Sequence, residues 1–385
     1  MRLWIEHAHQ SLIKAGEQAC SDVVRTFQTE ERFFAILASG SRGGAEAKQL
    51  TDSAADMLER GGSLDSVVEM VLVALPNGEH VPFSILQIIE ECGECRARLV
   101  EFDAPPLFLT RGGQLVLLPV LEDISHGHLV RKCRFLVRDR DHMAMVSEGY
   151  IRARGWSRRW GWRDIATSIR RWTDTGCDAK QLLSALAHTY RRLAEEGEPE
   201  RDVTVIAMHV RPMRTATIWT GPPADLAQDE VALGRLMAKP GTRVICGDTT
   251  AQIAARLLGA ELELEPRPKD GWAEVPPVSR LEGMNLVTEG LVTLSKARER
   301  MAGAKRLRDR SAERSRRSLP RGEDGATRLA RVLLAADRIQ FIVGLAVNPA
   351  QAAGITRTIP LRQAVVEELV HDLKAQGKLV SVEYL

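Results

Sequence analysis

The first two hundred residues alternate short apolar runs with strongly helical blocks. Arg32-Phe33-Phe34-Ala35-Ile36-Leu37-Ala38 predicts a buried strand, ended by the glycine-rich stretch Ser39-Gly40-Ser41-Arg42-Gly43-Gly44. Ala47, Leu50, Ala54 and Leu58 recur at helical spacing and predict a helix from about Ala45 to Glu59. Gly61-Gly62 closes it, Ser63 can cap the next helix, and Val67 to Leu75 supplies that helix's apolar face. Strands are predicted at Phe83 to Ile89, Arg96 to Phe102, Leu107 to Thr110, Leu115 to Leu118 and Val130 to Val137. Glu91-Cys92-Gly93-Glu94 and Arg111-Gly112-Gly113 have the composition of tight hairpin turns. His142 to Val146 reads as a buried strand ending in Ser147-Glu148-Gly149. Helices follow at roughly Trp162 to Trp172 and Ala179 to Glu195, and the turn Glu196 to Arg201 feeds a last strand, Asp202 to Val210. Helices, then many antiparallel strands, then helices predict an α+β sandwich.

After Arg211-Pro212 the pattern changes to strand–helix–strand–helix: Thr215 to Thr220, Glu230 to Met237, Arg243 to Cys246 and Thr250 to Leu258. Ala304 to Arg321 is densely basic and nearly free of large apolar residues, so positions 304–325 are expected to form an exposed linker. Helix Ala326 to Ala336, strand Ile339 to Val343, helix Leu361 to Gln376 and strand Leu379 to Tyr384 complete the pattern. The expected organisation is a sandwich over 1–212 and a smaller α/β domain in two parts, 213–303 and 326–385.

Composition adds exclusions. Of 385 residues, 44% are hydrophobic and 27% charged, the balance of a globular chain with apolar surface for two cores. The 53 Lys+Arg against 51 Asp+Glu leave no bulk charge that would name a polyanionic partner. No stretch approaches the roughly 20 apolar residues of a membrane span. Met1 to His7 lacks the apolar core of a signal peptide, and six scattered cysteines read as reduced thiols. These features predict a cytoplasmic protein that does not engage membranes.

Three local motifs have an ordinary reading beside a chemical one. Cys92-Gly93-Glu94-Cys95 has zinc-knuckle spacing, but a four-ligand site needs a second pair, and only His126 and His128 are near in sequence; a hairpin with two ordinary thiols is the better reading. Gly155 to Arg163 and Arg170-Arg171-Trp172 interleave cations with tryptophans, as single-strand nucleic-acid platforms do. With net charge near zero, a helix packed through its tryptophans is preferred and nucleic acid is not expected as a partner. Cys246-Gly247-Asp248-Thr249-Thr250-Ala251 places Gly247, Thr249 and Thr250 where a helix N-terminus could receive a small anion or nucleotide, although Asp248 disfavours phosphate there. Glu282-Gly283 and Thr288-Glu289-Gly290 are candidates for the border of the same cleft.

Four segments, taken together, resemble the PPM family of metal-dependent protein serine/threonine phosphatases, in its SpoIIE-like branch. They are Cys20-Ser21-Asp22, the Leu37 to Ala47 turn, Val146-Ser147-Glu148-Gly149 and Arg201-Asp202-Val203-Thr204-Val205-Ile206. The Pro-containing hairpin Phe102 to Gly113 and Asp141, six residues before Ser147, stand where that family has them. The agreement runs over about residues 5–210, and the remainder is similar to the extension of a largely uncharacterised bacterial SpoIIE-like subgroup.

The resemblance implies a four-layer α/β–β/α sandwich and a centre in which carboxylates hold two Mn²⁺ or Mg²⁺ ions that activate a bridging water against phosphorus. Asp22 matches the first family aspartate, Glu148 stands for a second, and Asp202 occupies the second position of the Asp-Asp-x-Thr motif; these are the candidate catalytic residues. Asp22, Gly40 (through its carbonyl) and Glu148 would be the remaining metal ligands. Two of the four ligand positions are lost, because Ser39 replaces the aspartate of the Asp-Gly turn and Arg201 the first aspartate of the motif. A guanidinium about 4 Å from a divalent ion is repelled by about 8 kcal/mol at an effective dielectric near 20. A one-residue slip does not rescue Asp202, since strand side chains alternate faces. The expectation is therefore a PPM fold in bacterial signalling with an impaired or absent metal centre, in which Arg201 could bind phosphate on a phosphorylated protein partner. Two alternatives remain open: a working Mn/Mg-dependent phosphatase using Asp22, Glu148 and Asp202, and a non-enzymatic sensor that binds a small anion or nucleotide through its C-terminal domain.

Overall fold

The structure is a computed structural model of the chain and describes residues 2–40, 44–74, 81–152, 161–193, 199–266, 275–310, 324–346 and 361–385. Two compact units result, Met1–Pro212 and Met213–Leu385. The first contains β1 (Leu3–Leu12), β2 (Asp22–Gln28), β3 (Arg32–Ser39), α1 (Ala45–Glu59), α2 (Leu64–Ala74), β4 (Phe83–Glu91) and β5 (Glu94–Phe102). It continues with β6 (Phe108–Arg111), β7 (Gln114–Leu115), β8 (Val120–Ser125), β9 (His128–Val137) and β10 (His142–Val146). A short α3 (Glu148–Ile151), then α4 (Trp162–Thr173), α5 (Ala179–Leu193) and β11 (Val203–Pro212), complete it.

Two antiparallel sheets, ordered β1-β11-β10-β6-β7 and β2-β3-β4-β5-β9-β8, face each other. The apolar run of β3 is continuous because both of its faces are buried. Phe33, Ala35 and Leu37 enter the inter-sheet core with Leu86, Met143, Met145, Ile206 and Met208. Phe34, Ile36 and Ala38 alternate onto the other face, against Leu50, Leu58, Val67 and Val71 of α1 and α2. On the far side of the other sheet, Ala144, Val146, Val205 and Ala207 pack on Ile165, Ile169, Leu182 and Leu186 of α4 and α5. Helix, sheet, sheet, helix is the four-layer arrangement expected from the motifs.

Several elements differ from the sequence reading. Strands β1 and β2 were not expected; each is the outer strand of its sheet and half-exposed, so neither carries a strong apolar period. The strand expected at Leu115 to Leu118 is a strand only over Gln114–Leu115, with one further bond from the Val116 amide to the Leu109 carbonyl at 2.8 Å, because the chain leaves that sheet and starts β8 in the other at Val120. Strand β8 is an edge whose Leu121 and Ile124 face outward, which erases its pattern.

In the second unit β12 (Thr215–Thr220), α6 (Asp229–Ala238), β13 (Thr242–Cys246) and α7 (Asp248–Leu258) are followed by β14 (Glu263–Leu264), β15 (Ser279–Arg280) and β16 (Leu286–Thr288). Then come α8 (Leu291–Arg310), α9 (Gly325–Ala335), β17 (Arg338–Val343), α10 (Leu361–Lys374) and β18 (Leu379–Tyr384). Five strands run parallel in the order β16-β13-β12-β17-β18, extended at one edge by the antiparallel β14-β15 pair. Helices α6 and α7 cover one face, and α8, α9 and α10 the other. The basic stretch expected to be a linker begins inside α8: Ala304 to Arg310 is helical, and 311–323 lies outside the described residues. Among the described residues no helix is long and apolar enough to cross a membrane.

Candidate functional site

The four motif segments meet at one end of the sandwich, where β2 and β11 begin and β3 and β10 end. Across the β2–β3 pair Asp22 lies directly opposite Ser39. The Gly40 amide donates to the Ser21 carbonyl at 3.0 Å, and a Cβ on Gly40 would stand 2.8 Å from the Gly44 Cα. Bare backbone at Gly40 is what lets the turn fold onto Ser21. On the other sheet, Ser147 and Thr204 exchange bonds: the Ser147 amide donates to the Thr204 carbonyl at 2.9 Å, and the Thr204 amide to Ser147 Oγ at 2.9 Å. A Cβ on Gly149 would lie 2.1 Å from the Asp202 carbonyl oxygen, so glycine is required where this turn crosses the start of β11.

Asp22 is the shared centre of these segments. Burial pushes its carboxyl above the ordinary value; the hydroxyls of Ser39, Thr204 and Ser147 hold the rise down and the nearby Asp202 carboxylate adds to it. None of those hydroxyls reaches hydrogen-bond geometry with Oδ2, which is buried and without a partner. Asp202 turns to the chain beside Asp22. It accepts from the Ser21 amide at 2.7 Å, the Ser21 hydroxyl and the Lys14 amide at 2.8 Å. Burial pushes the Asp202 carboxyl up, but these donors outweigh it and hold the group below its ordinary value.

Arg201 points elsewhere. Its guanidinium donates to Glu148 Oε2 at 2.7 Å, and Arg152, one helical turn beyond Glu148, reaches Oε1 at 2.7 Å. The carboxylate is thus held on both oxygens by cations. Beside this triad lies a cavity of about 250 Å³ lined by Gly149, Arg152, Tyr190, Glu200 and Arg201. Glu148 and Arg201 are candidates from the sequence and Ser147 and Thr204 lie in its motif segments, but Arg152 is in none of them. The signal for Arg152 was its i,i+4 spacing from Glu148.

An ion pair lies at the other end of β10 from the site. Asp141 is fully buried and accepts from Arg111 Nε at 2.8 Å and Nη2 at 2.7 Å, and from the Arg138 amide at 2.9 Å. This ties the β6–β7 hairpin to the start of β10.

The other motifs settle as follows. Cys92 is exposed at the β4–β5 turn, whereas Cys95 belongs to the inter-sheet core and burial pushes its thiol up. Of the tryptophan–arginine stretch, 153–160 lies outside the described residues; Trp162 stacks on Phe108 with centroids 5.4 Å apart, and Trp172 is exposed. Gly247 is the N-cap of α7, Thr249 is exposed and Thr250 is buried. Glu282 and Gly283 are exposed in the turn before β16, and Glu289 and Gly290 follow that strand. Among the described residues no three His, Cys, Asp or Glu side chains are grouped as metal ligands.

No family model matches the chain, and no curated protein matches it. Solved structures do. The PP2C phosphatase domain with a fragment of the regulatory domain of the cell fate determinant SpoIIE from Bacillus subtilis is similar at 15% identity and a TM-score of 0.46. That match covers 55% of this chain and 63% of the SpoIIE chain, less than two thirds of its length. The RsbU and RsbW domains of a Mycobacterium tuberculosis protein match at 15% identity and TM-score 0.45, over 60% of this chain and 67% of theirs. The catalytic domain of the serine/threonine protein phosphatase PstP, in complex with two manganese ions, matches at 17% and 0.38, over 54% and 99%. All three TM-scores are below 0.5 and all three identities below 25%.

Proposed function

We propose that the first unit is a PPM-fold protein of bacterial cytoplasmic signalling in which a fixed ion-pair triad stands in place of a hydrolytic metal pair, and that it holds phosphorylated protein without cleaving it. The observation that carries this reading is the double capture of Glu148 by Arg152 and Arg201. The donor set does not fit two divalent ions. Hard cations need anionic oxygen; Ser39 offers none, Glu148 is already neutralised, and Asp202 is directed onto the Ser21 and Lys14 amides. The two half-exposed guanidinium groups beside the cavity retain donors for the oxygens of a phosphate dianion, with Glu148 fixing their spacing.

A fluorescent phosphopeptide titrated into the full chain, beside its unphosphorylated twin, tests the binding. Manganese calorimetry and p-nitrophenyl phosphate turnover test the chemistry. Phosphate-dependent binding lost in Arg201→Gln, with no metal-dependent turnover, is the expected result. Micromolar manganese binding with metal-dependent turnover would overturn it.

One observation favours a second reading, a Mn/Mg-dependent phosphatase using Asp22, Glu148 and Asp202. The buried, unpartnered Oδ2 of Asp22 is the kind of atom a single cation satisfies. In that case Arg201→Asp would raise or preserve turnover that wild type already shows.

A further inference from the structure

The second unit carries a separate set of unsatisfied groups, and its reading does not depend on that of the first. Its strand order, β16-β13-β12-β17-β18, with α6 and α7 before β16 on one face and α8, α9 and α10 after β16 on the other, is that of a doubly wound sheet. The winding reverses between β12 and β17, and in such sheets ligands bind outside the carboxyl ends of the strands at that reversal. All four strands around this place run into glycine: Gly221 directly after β12, Gly247 after β13, Gly290 two residues after β16 and Gly344 after β17. The glycine backbones lie close together. A Cβ on Gly247 would be 3.9 Å from the Gly221 amide nitrogen, and a Cβ on Gly290 would be 3.4 Å from the Gly247 Cα.

Polar side chains without partners surround them. Thr250 is fully buried, its Oγ1 has no hydrogen-bond partner, and it points at the N-cap of α7: a Cβ on Gly247 would stand 3.0 Å from it. Thr220, at the end of β12, is 1% exposed and its Oγ1 is likewise unpartnered. Glu289 Oε2 is buried without a partner; burial, then the Asp248 charge, pushes this carboxyl up, and the amides of Thr293, Gly290 and Val292 hold the rise down. On the other side of Gly221 lies the guanidinium of Arg362, which donates to the Gly344 and Ala346 carbonyls at 2.9 and 3.5 Å. Burial lowers its pKa. Buried hydroxyl and carboxylate oxygens left unpaired are costly, and a ligand that pairs them recovers that cost.

The geometry points to a ribonucleotide site at the carboxyl ends of β12, β13 and β16. A vicinal diol donates to Glu289 and to Asp248 just beyond the end of β13, Thr250 Oγ1 completes the hydrogen bonding, and the phosphate meets Arg362. An acidic residue at the end of the second strand is where a doubly wound sheet takes a ribose hydroxyl. The two carboxylates repel phosphate from the α7 terminus, which orients the ligand with its phosphate toward Arg362.

The test is calorimetry and thermal melting of the full chain with the four common ribonucleoside 5′-monophosphates, their 2′,3′-dideoxy counterparts and inorganic phosphate. At least one ribonucleotide should bind, and its dideoxy counterpart and phosphate should bind at least about tenfold more weakly. Glu289→Gln should remove most of that preference. Thr250→Val, which keeps the side-chain shape, should leave the ligand-free melting temperature unchanged or raised while weakening the ribonucleotide about tenfold. No binding up to millimolar concentration, equal binding of the dideoxy forms, or undiminished affinity in a folded Thr250→Val protein would each overturn the assignment.

Discussion

Replacing Ser39 and Arg201 together by aspartate should turn the first unit into a manganese binder. Ser39 sits directly across the β2–β3 ladder from Asp22, and opposed Cβ atoms of such pairs lie about 4.5–5.5 Å apart. A carboxylate there would face Asp22, whose Oδ2 is unpartnered. Removing the guanidinium removes a repulsion that, at about 4 Å from a divalent ion, is about 8 kcal/mol at a dielectric near 20 and about 2 kcal/mol in water. The Arg201 side chain is 55% exposed, so the lower figure is the one to use, and it corresponds to about thirtyfold in affinity. The fold should survive. The Arg201–Glu148 pair is half-exposed, its loss is worth about 0–1 kcal/mol, and the melting temperature should move by no more than about 4 °C. Calorimetry with manganese chloride on wild type, each single variant and the double variant reads the outcome. Affinity should rise at least about thirtyfold in the double variant and less in either single one. A double variant that melts like wild type yet binds manganese no better would refute the electrostatic argument, as would a wild-type protein that already binds it at micromolar concentration.

Three further outcomes follow from the same geometry. Asp22→Asn should raise stability at pH 7 by about 1 kcal/mol, because an ionised, incompletely paired carboxylate is removed from a buried position. The folded-state pKa of Asp22 lies above its unfolded value of about 3.8, so wild type gains stability as pH falls and the advantage of Asp22→Asn should shrink toward pH 4; parallel melts in which the difference stays constant would contradict this. Asp141→Asn should cost about 3 kcal/mol, or about 6–12 °C in melting temperature, by leaving Arg111 facing a neutral amide, and Arg111→Lys should lose the two-point bond as well. Gly149→Ala should cost about 3 kcal/mol, since its Cβ has to displace the Asp202 carbonyl, and a wild-type melt would show that the turn does not approach β11 so closely.

What was legible in the sequence follows burial. Strands β3 and β10 are covered on both faces, so their apolar runs are continuous and their limits were read nearly to the residue. Helices α1, α4 and α5 each bury one stripe on a sheet and show the corresponding period. Edge strands have only half a reason to be apolar. Strand β1, Leu-Trp-Ile-Glu-His-Ala-His-Gln-Ser-Leu, is specified by its ten-residue register with β11 more than by its own pattern, and pairing partners this distant are not visible in local sequence. Helix α8 misled in the opposite way. Its basic C-terminal turns lack an apolar stripe, and their polarity reads as a linker, whereas the helix carries on from Leu294, Ala297 and Met301.

The site shows the same division between what is local and what is folded. That Asp22, Ser39, Glu148 and Arg201 belong together was readable from motif order; that Arg201 turns to Glu148 while Asp202 turns to Ser21 was not. Adjacent residues at a strand entrance point in opposite directions, so whichever of the two faces Glu148, the other must find donors elsewhere, and the Ser21 and Lys14 amides supply them. None of these side chains belongs to the inter-sheet core or to either helix-covered face. Substitution at the strand ends therefore leaves all three apolar layers intact. That separation lets the strand ends hold Asp22 and Arg201, with Gly40 and Gly149 required there on steric grounds, while the apolar layers behind them stay closed.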